Sequence, residues 1–415
     1  TDFKTAGIWS KMKAIYPYCT SQRNLIGYSE DFGNAYWTQN SVTITTNTAT
    51  APNGTTTADT IIPAAGTNVD IPCVYVIIDT TVQTRTWSFY AKSNGYDYCF
   101  GRVGGSANAP IGIFNLTGSG SLVASQNILG SSISSVGGGW YRVSITYAHS
   151  NFYYAPNVGV CSSTYSISGS AVLTTTNGTS GIYIWGAQLE IGSTATTYQP
   201  VATTASTIFA SQFKYNLKDP RNLDAAFRQV FNGGWTYSKQ GATPNGTNGY
   251  ADTKLVPSSV LTNANNHVSA YSRTQYLTPI AKDQNLWGSL NAANYLSGDI
   301  YNNTPKIYTT NGAANFIDAT ISNTQGLFTT SIVNTSTNGQ KTYQNNLVKG
   351  TNTNSTATLP SVSLYLAALN NNGGSQNFSP FQTAFVSIGD GLSDTEVSAM
   401  YTSVQSYQTS MQRQV

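Results

Sequence analysis

At 415 residues the chain is long enough for two or three domains, and 40% hydrophobic and 12% aromatic residues suffice for packed cores. Charged residues make up only 9%, the net charge is +3, and no Lys/Arg run could neutralise a row of phosphates, which argues against nucleic acid as a partner. No apolar run approaches the roughly 20 residues that span a bilayer, so no membrane insertion is expected.

Residues 1–20 place Ile8, Met12 and Ile15 at i, i+4 and i+7, which predicts a short amphipathic helix that stops at Tyr16-Pro17. From Arg23 the texture changes to Thr-rich alternation, with Val42 and Ile44 in phase and a turn at Pro52-Asn53-Gly54. In TRTWSFYAKS, Trp87, Phe89 and Ala91 share one face and Ser88, Tyr90 and Lys92 the other. DYCFGRV, IGIFNL, GWYRVSITYA and VGVCSS repeat the pattern between Gly-rich turns such as Gly137–Gly139, so an antiparallel sandwich is expected. IYIWGAQLE closes this module as a strand buried on both faces. Uninterrupted alternation puts Tyr183, Trp185, Ala187 and Leu189 on one side and Ile182, Ile184, Gly186 and Gln188 on the other. Pro200 cannot donate to a central ladder, which ends the domain there.

A second all-β block begins near Ala205 with a hairpin whose turn is read at Asn245-Gly246, followed by strands such as NHVSAYSRT, GLFTTSIVNT and FQTAFVSIGD. The period then changes. Ser393 with Glu396 three residues later is a capping box, and Val397, Met400, Tyr401, Val404 and Tyr407 form the apolar stripe of a C-terminal helix. Four cysteines, Cys19, Cys73, Cys99 and Cys161, lack any C-x-x-C spacing and read as buried or incidental thiols rather than a zinc site.

NLIGYSEDFGNAYWTQN, APNGTTTAD, WSFYAK, GWYRVSIT and IYIWGAQLEIGSTATTYQP, in that order, resemble the carbohydrate-binding-module-like jelly rolls of phage virion and fibre proteins. NGGWTYSKQGATPNGTNGYADTKL, VSLYLAALN and FVSIGDGLSDTEVSAMYTSVQSYQTSM resemble a concanavalin A/laminin-G-type jelly roll of phage structural proteins. In such proteins a piece like GIWSKMKAIYP runs almost directly into one like SQFKYNLKDPRN. Here they stand at residues 7–17 and 211–222, so the first module reads as inserted into the second. The expected organisation is 1–22 as an N-terminal helix of the C-terminal domain, 23–203 as the inserted jelly roll, and 204–415 as the concanavalin A-like domain. The expected fold class is all-β, two antiparallel β-sandwich (jelly-roll) domains with a short N-terminal helix and a C-terminal helix.

Chemistry is sparse. Glu30, Glu190 and Glu396 are the only glutamates, and no E-x-D-x-x-E run supplies the paired carboxylates of a glycosidase. His149 and His267 look like surface or turn residues, and no G-x-S-x-G suggests a nucleophile elbow. The triplets at Asn53 and Asn245 read as turns rather than glycan acceptors. Sugar binding needs aromatic faces beside polar side chains on one sheet face. Tyr96, Tyr98, Phe100 and Arg102 share a face, as do Tyr90 with Lys92 and Trp140 with Arg142, and together they are expected to line one concave surface. The first resemblance implies that a structural calcium is the one ion to consider, with Glu30, Asp31 and Glu190 as its oxygen ligands. No other cofactor is expected.

The resemblances imply a non-enzymatic structural protein of a bacteriophage virion: a head fibre, capsid decoration or tail fibre part that displays a glycan-binding surface. The implied partners are other virion proteins, further copies of the same chain and a glycan. A glycan-degrading enzyme with an accessory binding module is the alternative from another class, and a purely structural virion protein is a third. Thr1 fits removal of an initiator Met, and with no signal-peptide pattern the chain reads as complete and made in the bacterial cytoplasm before virion assembly.

Overall fold

Short runs of Thr, Val, Ile and aromatic residues, broken by Gly, Asn and Pro, favour pleated strands over helices. The computed structural model is accordingly all-β, built from antiparallel sheets, with a short helix at Asp2–Thr5 and a C-terminal helix at Asp394–Ser410. It describes residues 2–19, 23–77, 83–104, 108–148, 155–275, 280–302, 306–311, 316–334, 338–353 and 358–415. The chain divides into two units, each a β-sandwich: Ser21–Ala205, and Thr1–Thr20 together with Ser206–Val415.

In the unit Ser21–Ala205, one sheet runs in spatial order through Gly130–Gly137, Trp140–Ala148, Thr84–Asn94, Gly181–Ile191, Ala58–Pro63 and Val42–Ala49. Its partner runs through Ser121–Gln126, Ile111–Asn115, Tyr98–Gly104, Ala155–Cys161, Cys73–Tyr75 and Thr38–Asn40. Trp87, Phe89, Val143, Ile145, Val158, Ile182, Ile184 and Leu189 fill the space between them, each worth about 1.5–3 kcal/mol on burial. A smaller sheet of Gly66–Asp70, Tyr165–Ser168 and Ala171–Thr176 adds a second core, in which Val172 meets Phe100, Ile111 and Ile113.

The closing strand Gly181–Ile191 departs from simple alternation. Its register against Thr84–Asn94 shifts between Trp185 and Gln188, and Gly186 sits in the left-handed region at φ 63°. This is a glycine β-bulge. It hands the core face from Ile182 and Ile184 to Ala187 and Leu189, and leaves Tyr183 and Trp185 on the outer face. The uninterrupted alternation read from the sequence therefore holds only as far as Trp185.

In the other unit, Met12–Tyr16 is a strand and not the end of a helix. It pairs antiparallel with Thr383–Gly389, from Met12 opposite Gly389 to Tyr16 opposite Val386. The helix-like spacing of Ile8, Met12 and Ile15 has a different origin. A 3-10 turn at Trp9–Lys11 follows Ile8, and a bulge between Met12 and Ala14 lets Met12 and Ile15 both enter one core with Val397, Met400 and Val404 of the C-terminal helix. That helix carries the capping box, in which Ser393 Oγ accepts from the Glu396 amide while the Glu396 carboxylate accepts from the Ser393 amide. The turn at Asn245-Gly246 exists, with Asn245 Oδ1 accepting from the amides of Thr247, Asn248 and Gly249. It is not the hairpin turn, however. Trp235–Ser238 and Gly241–Pro244 form the hairpin, and the Asn245 turn carries the chain on to Tyr250–Asp252 in the opposite sheet. A helix at Ala205–Phe213, with Phe209 and Phe213 buried, has no counterpart in the sequence reading.

Candidate functional site

The outer face of the sheet that contains the closing strand carries Tyr90, Lys92, Trp140 and Arg142, half of the polar and aromatic side chains singled out from sequence. Antiparallel pairing aligns them in rows. Trp140 faces Lys92, which faces Tyr183, and Arg142 faces Tyr90, which faces Trp185. A third row runs from Ser132 through Ser144 and Ser88 to Gln188. Side chains directly opposite on neighbouring strands lie about 4.5–5.5 Å apart at Cβ, so each row is a line of contacts.

Part of this face is closed over. Trp140 and Trp185 are 3% and 4% exposed and join Ala51 and Ala58 in a core of their own. The turn that follows Ala49 caps both indoles: Trp140 Nε1 donates to Thr50 O at 3.0 Å and Trp185 Nε1 to Thr57 Oγ1 at 3.0 Å. Tyr90, Tyr183 and Tyr198 are half-buried against this core. Tyr90 meets Trp185 edge-on at 5.1 Å, and Tyr198 lies 4.8 Å from Trp185. Trp140 is thus a structural residue, while Tyr90 and Tyr183 keep part of their rings at the surface.

Beside these aromatics runs a groove of about 430 Å³, lined by Ser132, Ser134, Arg142, Ser144, Thr146 and Ser193 among others. Arg142 joins the two features. Its guanidinium lies 5.5 Å from the centre of the Tyr90 ring and its Nη2 donates to Ser88 Oγ at 3.3 Å. Hydroxyls on both walls, one guanidinium and adjoining aromatic rings can hydrogen-bond and stack on a polyhydroxylated ligand.

Tyr98, Phe100 and Arg102 do not belong to this surface. They lie on Tyr98–Gly104 in the other sheet, so the single concave surface expected from sequence is divided between two sheets. Phe100 is fully buried beneath the small three-stranded sheet, and Tyr98 packs on Tyr165 at 5.9 Å. Arg102 is buried and tied down. Its Nε donates to Ser170 O at 2.6 Å and its Nη1 to Asn157 Oδ1 at 2.8 Å, and burial pushes its pKa down. It borders a separate pocket of about 340 Å³ with Asp70, Tyr75 and Asn157.

The three carboxylates considered for calcium are each engaged elsewhere and form no ligand set. Glu190 is fully enclosed, accepting from Gln188 Nε2 at 2.7 Å, from the Thr196 amide at 3.0 Å and from the Thr196 hydroxyl. Glu30 accepts from the Tyr198 hydroxyl at 3.2 Å, and Asp31 is exposed at a turn with Asn34. Among the described residues no three His, Cys, Asp or Glu side chains gather as a metal site. The buried carboxylate that organises this region is Asp59, which accepts from the Phe32 amide at 2.7 Å and the Asn47 amide at 2.9 Å. His149 lies outside the described residues. His267 is not at a turn: it is fully buried on Asn266–Ser272, with Nδ1 donating to Asp390 O at 2.6 Å, and burial pushes its pKa down to about 4. The described cysteines form no disulfide, and Cys73, Cys99 and Cys161 are buried.

Sequence reading missed Tyr183, Tyr198 and the serines of Gly130–Gly137 as site residues. The signal for Tyr183 was present, since alternation already paired it with Trp185. Ser132 and Ser134 become wall residues only through pairing of their strand with Trp140–Ala148.

No family model matches the chain, and no curated protein does. Among solved structures it is similar to a Trypanosoma rangeli sialidase in complex with 2,3-difluorosialic acid, at 11% identity and a TM-score of 0.30 over 83% of this chain and 60% of that one. This chain therefore spans less than two thirds of that sialidase. It is also similar to the N-terminal CBM22 tandem domain of Xyn10C from Paenibacillus barcinonensis, at 10% identity and a TM-score of 0.26 over 90% of this chain and all of that one. Likenesses this loose carry no argument about activity.

Proposed function

We propose that the protein is a non-enzymatic glycan-binding protein of a bacteriophage virion, a head fibre, capsid decoration or tail fibre component. Its groove beside Tyr90, with the adjoining aromatic cluster that includes Tyr183, would take host or environmental glycans. The observation that supports glycan binding most directly is the junction of half-buried Tyr90, part of the aromatic cluster with Tyr183 and Tyr198, with a hydroxyl-lined groove through Arg142. The virion setting, with other virion proteins and further copies of the chain as partners, rests on the resemblance of segments such as WSFYAK and GWYRVSIT to phage jelly rolls. The non-enzymatic reading is supported by the use of the glutamates: Glu190 is enclosed by Thr196 and Gln188, and Glu396 caps a helix and pairs with Lys11 at 2.6 Å.

The test is a glycan array probed with the full-length protein, followed by Tyr183→Ala. The expected outcome is binding that Tyr183→Ala weakens at unchanged melting temperature. Absence of binding to any glycan overturns the reading.

A further inference from the structure

We infer that the groove selects acidic glycans, with the carboxylate of a uronate- or sialate-type sugar pairing with the guanidinium of Arg142. This rests on the glycan-binding reading above and goes on to name the ligand's charge.

Arg142 is the one charged side chain among the described residues that line the groove, whose walls are otherwise serine, threonine, glycine, alanine and valine. It takes part in none of the ion pairs among the described residues. Among the described residues its side-chain partners are the neutral Ser88 hydroxyl and the Tyr90 ring, and its Nε is buried with no hydrogen-bond partner there. The guanidinium is thus oriented before any ligand arrives, with its charge unmatched. A neutral sugar would leave that charge unmatched as well. A carboxylate accepts two parallel N–H bonds from the planar fork, and charge-assisted bonds of this kind are about twice as strong as neutral ones. The hydroxyls of Ser132, Ser134 and Ser144 surround the position with donors and acceptors suited to the remaining ring hydroxyls.

The experiment measures binding of the full-length protein to three acidic probes, oligogalacturonate, oligomannuronate and sialyllactose. Each is set against its neutral counterpart, the methyl-esterified oligomers and lactose. At least one acidic probe should bind about tenfold tighter or more than its counterpart, the worth of a single charge-assisted pair, with the preference shrinking as salt rises. Arg142→Gln should abolish the preference. Ser134→Glu should do the same from an exposed position opposite Arg142 in the register, so the result does not depend on how Arg142→Gln folds. Equal affinity for acidic and neutral probes, or a preference that survives both substitutions, overturns the acidic selectivity and leaves glycan binding standing. No binding to any probe, acidic or neutral, overturns this inference, and a blank array together with it overturns the glycan-binding reading too.

Discussion

The side-chain amide of Asn24 donates to Ala187 O at 2.8 Å and to Gln199 O at 3.0 Å, while its Oδ1 accepts from the amides of Ile26 and Leu189. One buried asparagine thereby ties the first described residues of the unit Ser21–Ala205 to its closing strand and to the segment that leaves it. Backbone bonds from Leu25 N to Leu189 O, Ser29 N to Val201 O and Tyr28 N to Thr203 O extend the seam. Closely placed ends are the condition under which a domain tolerates insertion into another chain segment.

Asn24→Ala removes four hydrogen bonds and leaves buried backbone groups unsatisfied, at a cost of about 2–3 kcal/mol. Hydrogen exchange should accelerate first at the amides of Leu25, Ser29 and Leu189. Unchanged protection there would mean that the backbone ladder holds the seam alone.

Gly186→Ala should cost about 2 kcal/mol. The position has φ 63°, and an added Cβ would lie 2.8 Å from Cδ2 of the Tyr90 ring. Because relief of the clash displaces Tyr90, the same substitution should weaken glycan binding. Thermal melting and array binding measure the two effects, and a variant with native values for both would show that the bulge tolerates an L-residue.

Arg413 is 1% exposed and has carbonyls rather than carboxylates as partners. Nη1 donates to Tyr18 O at 2.7 Å, Nη2 to Pro17 O at 2.7 Å and Ala384 O at 2.8 Å, and Nε to Gln408 Oε1 at 2.6 Å. It joins the N-terminal strand to the C-terminal helix within one unit. Arg413→Met keeps most of the volume but takes the guanidinium donors from Tyr18 O and Gln408 Oε1, while Pro17 O keeps the Tyr407 hydroxyl and Ala384 O the Gln408 side-chain amide, so a loss of about 3 kcal/mol is expected in urea unfolding. A loss below about 1 kcal/mol would show that water replaces the guanidinium at little cost.

Two buried groups should shape the pH dependence of the same unit in opposite directions. His267 titrates near 4 in the fold, below its ordinary value of 6.5, because burial penalises the cation. Between about pH 6.5 and 4 the unfolded chain takes up a proton that the fold refuses, so stability falls as the pH drops through that window. Asp299 is raised to about 8 by burial and by Asp283, so the fold keeps a proton that the unfolded carboxyl loses above about 4. Stability therefore falls as the pH rises from about 4 to about 8. Asp299→Asn should remove that alkaline limb, gaining on the order of 5 kcal/mol at pH 8 relative to pH 4. Urea unfolding at both pH values checks it, and an unchanged slope would mean that Asp299 is ionised in the fold.

Much of this protein was legible locally. Alternation in TRTWSFYAKS put Trp87 and Phe89 on one face and Tyr90 and Lys92 on the other, and in GWYRVSITYA it put Trp140 with Arg142, because a strand's side chains alternate whatever it pairs with; the fold then made the Trp87 face the core. The cap at Ser393 and Glu396 was equally local. Tertiary structure decided what depends on distant partners. The Gly186 bulge is defined only against Thr84–Asn94, and it alone carries Ala187 and Leu189 into the core. Trp140 became structural because the turn after Ala49 folds over it, and Arg102 because a hairpin distant in sequence supplies Ser170 O. Met12–Tyr16 is a strand because Thr383–Gly389 offers an open edge, and pairing across so many residues overrides a helical spacing written into ten. A period records which side of a strand a residue occupies; only the fold determines what lies on that side.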